Sequence, residues 1–167
     1  LGAMVKEPPL VGTFPRVFTD ENKIPGDNVQ AFFGVLGLAA AQEAGYRGID
    51  NSIWEMVDYH WRAVQQRTAG DNAAGWARGF YNLDTGPYRR LDSDLRGRLA
   101  ARGGPDPFVT AAGSYAIDTA ERFLGRPGER DNFQGPPGSE GRELAKGIAW
   151  LNENFSLTGD VVDFEFY

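Results

Sequence analysis

Ala31-Phe32-Phe33-Gly34-Val35-Leu36-Gly37-Leu38-Ala39-Ala40-Ala41-Gln42-Glu43-Ala44-Gly45 holds a single charged residue, Glu43. The run reads as a helix, with Asp27 or Asn28 to cap its start and Gly45 to end it. Phe32, Leu36, Ala39 or Ala40, and Glu43 recur at spacings of three or four, which predicts that Glu43 shares the stripe facing the core. A carboxylate there loses solvation and meets the negative end of the helix dipole, and both disfavour its ionised form. A carboxylic acid that keeps its proton near neutral pH is what a general acid requires. The competing reading is a helix-end charge that has simply reached solvent.

On the N-terminal side, residues 8–27 are rich in turn formers and read as an irregular lead-in with a short strand at 11–14. On the other side, a loop at 46–49 leads to a second helix over 51–67, with Ile53, Trp54, Val57, Trp61 and Val64 as its apolar side. Residues 76–88 contain Gly79, Gly86 and Pro87 and read as loop. A charged third helix over 89–102, with Leu91, Leu95 and Leu99 four apart, is expected on the surface and stops at Gly103-Gly104-Pro105. A fourth helix over 108–124 carries Val109, Ala112, Tyr115, Ala116, Thr119 and Phe123. A Pro/Gly-rich loop over 125–139 precedes a fifth helix over 139–155, with Ser139 near its start and Leu144, Ile148 and Leu151 in register. Residues 160–167 alternate Val162, Phe164 and Phe166 with Asp163, Glu165 and Tyr167, a strand pattern. The expected fold is mainly α, an α+β chain with a minor β element: a lead-in over 1–27 and one helical domain over 28–167.

Composition narrows the function classes. At 167 residues, 41% hydrophobic and 13% aromatic, the chain is long and apolar enough for a real core. Its net charge of −6, with both signs interspersed, argues against non-specific nucleic-acid binding. The absence of cysteine excludes disulfides and thiol catalysis, and a single histidine excludes multi-histidine metal sites. No apolar run approaches the ~20 residues that span a bilayer, and no signal peptide is visible. Leu1-Gly2-Ala3-Met4 reads as a remnant or a domain cut, compatible with a leader already removed.

Three segments in order resemble the lysozyme superfamily, most of all the family-19 chitinases and related endolysins. Gln42-Glu43-Ala44-Gly45-Tyr46-Arg47 stands where the family has an apolar helix ending in a His-Glu-Ser-Gly-Gly-Phe-Arg type of motif, and Asp50-Asn51 where it has a second acidic residue. Gly75-Trp76-Ala77-Arg78-Gly79-Phe80-Tyr81-Asn82-Leu83-Asp84-Thr85-Gly86-Pro87-Tyr88 is similar to the segment that lines the sugar cleft, and Asp106-Pro107 with the helix reaching Phe123 to a later stretch. Gln42 replaces the motif's His, Gly45 its double Gly, and Asn82 the cleft Gln. The resemblance implies a lysozyme-like helical fold and an inverting glycoside hydrolase acting on peptidoglycan or chitin.

That chemistry needs two carboxyl groups across the scissile bond. Glu43 is the candidate acid and Asp50, on a loop after a glycine, the candidate base. A separation of about 6.5–9.5 Å would admit a water and predict inversion. Glu55 and Asp58 are reserves, although Asp58 is also four residues from Arg62 and reads as half of a surface ion pair. Tyr46, Asn51, Trp76, Tyr81, Asn82, Thr85 and Tyr88 are the candidate sugar contacts, with Trp76 and Phe80 equally readable as core anchors. His60 reads as a surface or packed residue, because no matching nucleophile or second ligand accompanies it. No cofactor or metal is called for.

The first expectation is therefore a secreted or cell-wall-directed glycosidase with a polysaccharide substrate, no nucleic-acid partner and no membrane span. The alternative is a non-enzymatic helical binding module, an immunity or adaptor protein, docking a protein partner through Asp163-Phe164-Glu165-Phe166-Tyr167. A third expectation is a helical toxin domain with other chemistry.

Overall fold

The structure, a computed structural model, describes residues 15–17, 24–25, 27–66, 72–84, 86–91, 93–126 and 142–155. It is mainly helical, with a two-stranded antiparallel sheet of β1 (Pro15–Val17) and β2 (Ile24–Pro25), Pro15 facing Pro25 and Val17 facing Ile24. The helices are α1 (Asn28–Glu43), α2 (Asn51–Ala63), α3 (Ser93–Leu99), α4 (Pro107–Phe123) and α5 (Glu143–Asn154). The expected strands at 11–14 and 160–167, the Ser139 cap and most of the 125–139 loop lie outside the described residues.

Local chemistry sets the helix starts. Asp27 caps α1 by accepting from Val29 N and Gln30 N, and Gln30 Oε1 accepts from Asp27 N in return, a closed capping box. Asp50 caps α2 through Ser52 N, and Asp106 caps α4 through Val109 N just before Pro107. Gly45, at φ +91°, turns the chain out of α1 in a conformation that favours glycine.

Two helices stop short of their expected length. α2 ends at Ala63, not 67, because its last carbonyls bond elsewhere: Asn82 Nδ2 donates to Ala63 O and Gln65 O, and Tyr81 N donates to Val64 O. The helix expected over 89–102 is split into a 3₁₀ turn (Gly86–Arg90) and α3. Leu91 N bonds Tyr88 O, and burial of both side chains draws that turn into the core.

α4 is the central element and packs against α1, α2 and α5. Its wall toward α2 includes Trp54 stacked on Phe123, ring centroids 4.6 Å apart at 24°. Trp76 enters from the loop after α2, is wholly buried, and donates from Nε1 to Trp61 O at 2.6 Å. Gly113 on α4 and Gly147 on α5 make room for it: a Cβ on either would lie 2.6 Å from the indole. Each mid-helix glycine weakens its helix by roughly 1 kcal/mol relative to alanine, which this close approach explains.

Candidate functional site

Of the nine residues expected to form a sugar site, the eight that are described separate into three environments. Trp76 and Tyr88 are 0% and 1% exposed, so neither offers a ring to a ligand; both are core anchors, and this corrects their assignment as sugar contacts. Glu43 is the second correction. Its side chain is 55% exposed and its Oε1 accepts from Arg122 Nη2 at 2.8 Å, so it lies in water beside a cation instead of against the core. The buried stripe of α1 is Asn28, Ala31, Val35 and Ala39, one residue round from the expected one. Continued down the helix, that stripe reaches Gln42, whose Oε1 accepts from Trp54 Nε1 at 2.6 Å.

Asp50 is exposed, as expected of the base, and its Oδ1 is engaged by the backbone N–H and hydroxyl of Ser52. Tyr46 and Asn51 are exposed near it. Tyr81 and Asn82 do come together: both line a groove of about 510 Å³ with Phe80, Leu83, Asp84 and Arg96. Neither Glu43 nor Asp50 lines this groove. Asn82 sits at φ +59°, and its amide donors close the end of α2, which is a structural task. Tyr81 Oη donates to Gly103 O, and burial raises its pKa. Thr85 lies outside the described residues.

Strongly shifted chemistry is sealed in the core. Arg62 and Asp58, expected on the surface, are 2% exposed. Arg62 reaches Asp58 through Nε (2.9 Å), Glu121 on α4 through Nη2 (2.5 Å) and Glu143 on α5 through Nη1 (2.9 Å). One guanidinium therefore joins three helices, which its planar fork of donors permits. Burial works against its charge, but Asp58 and Glu143 outweigh it and raise the pKa. Burial lifts Asp58 to about 6, against the opposing pull of Arg62.

His60 is wholly buried, and burial holds its pKa down to about 3. Its partners define the tautomer. Asn28 Nδ2 donates to Ala77 O and Gly79 O, which turns Asn28 Oδ1 toward His60 Nε2 at 3.1 Å. Nε2 therefore carries the hydrogen, and Nδ1 accepts from the Tyr88 hydroxyl at 2.9 Å. Among the described residues the one buried side-chain polar atom without a hydrogen-bond partner is Trp61 Nε1. These buried groups hold the fold and do not face a ligand. Among the described residues no three His, Asp or Glu side chains converge as a cation site, and no helix is long and apolar enough to cross a membrane.

The surface feature with the clearest chemical meaning is aromatic. Phe33 on α1 is 62% exposed, and Phe108 and Tyr115 on α4 are 44% and 39% exposed. Phe32 ties them together, with ring centroids 6.1 Å from Phe33, 5.8 Å from Phe108 and 5.9 Å from Tyr115, the last two edge-to-face. The outer face of α1 continues from Phe33 through the exposed Gly37 and Ala40, without a charge before Glu43. The α4 face runs Phe108, Ala111, Tyr115, Asp118 and Arg122, all exposed. Sequence reasoning passed over this patch, although its signal was present: an amphipathic surface helix carries charges along its outer side, and α1 carries none there before Glu43 in its last turn.

Compared with family models, with curated proteins and with solved structures, the chain matches none.

Proposed function

We propose that this chain is a helical binding module that docks a partner protein through the aromatic face of α1 and α4. The observation that carries the reading is the cluster of Phe33, Phe108 and Tyr115 in solvent around Phe32. With ~200 Å² per aromatic side chain, the exposed fractions leave on the order of 300 Å² of apolar surface in one place. Covering it is worth about 7 kcal/mol before the cost of association, and an apolar patch of this size on a monomer is often a functional contact surface.

A photo-crosslinking amino acid tests this directly. Placed at position 33, it should label a partner in extracts of the native host at least ~10-fold more strongly than at the exposed position 152 on α5. The label at 33 should disappear in a Phe108→Ser/Tyr115→Ser variant. Equal labelling at 33 and 152 would remove the reading.

Glycan cleavage is the second reading, favoured by one observation: Tyr81 and Asn82 share a groove with the carboxylate of Asp84. It predicts clearing of a cell-wall or chitin suspension, slowed at least ~100-fold by Asp84→Asn in that groove, the lower end of a general-acid contribution. Absence of clearing, or clearing indifferent to that change, would dismiss it.

A further inference from the structure

We infer that the partner seated on the α1–α4 face is an amphipathic helical segment whose apolar side is flanked by Lys or Arg, and not a second copy of this chain. The inference rests on the docking reading above and adds the chemistry of the occupant. Its basis is the distribution of charge round the aromatic patch. The cations at the ends of α1 are already occupied: Arg78 Nε pairs with Asp27 Oδ2 at 2.5 Å, and Arg122 Nη2 with Glu43 Oε1 at 2.8 Å. Arg122 also lies over the Phe123 ring, 5.0 Å from its centroid.

The acids bordering the rings on α4 are in a different state. Asp106, exposed two residues before Phe108, caps its helix and has no cation partner among the described residues. Asp118, exposed three residues after Tyr115 on the same stripe, has neither a cation nor a hydrogen-bond partner there. The apolar centre is thus bordered along α4 by two acids that have no cation partner among the described residues.

Two further features specify the occupant. Gly37 lies on the exposed side of α1 with nothing within 4 Å of the position a Cβ would take. A mid-helix glycine in open space weakens α1 without relieving any contact among the described residues, and it leaves a flat track beside Phe33 on which another helix can approach closely. A second copy fits poorly, because two copies would bring Asp106 and Asp118 toward their own kind on chains of net charge −6. A segment with Lys or Arg beside Leu or aromatic residues meets both the rings and the acids, and such cations also sit well on aromatic faces.

The test uses the whole chain and two designed helical peptides with the same Leu/Trp face, one flanked by Lys and one by Glu, titrated by fluorescence anisotropy. The Lys-flanked peptide should bind about 5- to 10-fold more tightly, as expected for two exposed charge pairs. The preference should shrink as salt is raised. It should vanish in Asp106→Asn/Asp118→Asn, in which asparagine preserves the α4 cap.

Equal binding of both peptides to the wild type, lost in Phe33→Ser, would overturn this inference and leave the docking reading standing. Failure of both peptides to bind would overturn this inference, and labelling from position 33 that is unchanged in Phe108→Ser/Tyr115→Ser would overturn the docking reading with it. Sedimentation showing a dimer that Phe33→Ser dissociates would assign the face to a second copy. A fluorinated Phe33 already shielded from a soluble paramagnetic probe in the free monomer would assign it to the chain's own segments.

Discussion

Arg62→Ala is expected to destabilise the fold by about 3–5 kcal/mol, the range for breaking a buried charge cluster by removing one partner. For a domain of this size that is a fall in melting temperature of roughly 6–20 °C. The side chain is 2% exposed, and its three carboxylate partners come from α2, α4 and α5. Without the guanidinium, Asp58, Glu121 and Glu143 remain buried facing one another, and the clamp between the helices is gone. Arg62→Lys keeps the charge but not the planar fork, so it should fall between wild type and alanine. In a Glu143→Gln background the alanine change should cost ~0.5–3 kcal/mol less, because the two residues act as one network. Chemical denaturation monitored by Trp fluorescence measures all three. A loss below ~1 kcal/mol for Arg62→Ala would show that the cluster contributes little.

The second large effect is a dependence on pH that the wild type hides. His60 has a folded pKa of about 3, below its ordinary value of 6.5, so between those values the unfolded chain binds the extra proton. Stability from His60 is therefore present above pH 6.5 and is lost as the pH falls toward 3. Asp58 has the opposite sign. Its folded pKa of about 6 lies above its ordinary 3.8, so between those values the folded chain binds the extra proton. Burying Asp58 ionised costs stability at neutral pH, and that cost is relieved as the pH falls through 6.

Between pH 7 and 4 the His60 loss and the Asp58 gain are each on the order of 2–3 kcal/mol and opposite in sign, so they largely offset one another. Asp58→Asn should uncover the His60 slope, with a loss about 2–3 kcal/mol steeper than wild type over that range. His60→Gln should uncover the opposite slope and make the fold relatively more stable in acid. Differences between variant and wild type at matched pH cancel the remaining carboxylates. Three parallel curves would mean that His60 and Asp58 do not titrate as their burial requires.

Legibility varied from helix to helix for physical reasons. Trp54, Val57 and Trp61 recur at spacings of three and four among polar residues, so the inner face of α2 was readable. Its charged members were not. Asp58 and Arg62 at i, i+4 are indistinguishable in sequence from a solvent pair, and their burial is decided by Glu121 and Glu143, 59 and 81 residues from Arg62. Trp76 and Tyr88 were ambiguous for a similar reason, since an aromatic residue in a loop suits a ligand platform and a core plug equally. The decisive neighbours, Gly113, Gly147 and His60, lie on other elements.

The sequence by itself determined that the chain is mainly helical and where three of its helices begin, because caps such as Asp27 with Gln30, Asp50 with Ser52, and Asp106 before Pro107 act over a few residues. Tertiary structure alone decided which way α1 faces. A helix apolar on every side has no preferred rotation of its own, so periodicity cannot tell the Phe32–Leu36–Glu43 stripe from the Ala31–Val35–Ala39 stripe. Asn28, held by His60, Ala77 and Gly79, supplies the orientation that α1 lacks. That rotation turns Glu43 into water and leaves Phe33 on the surface.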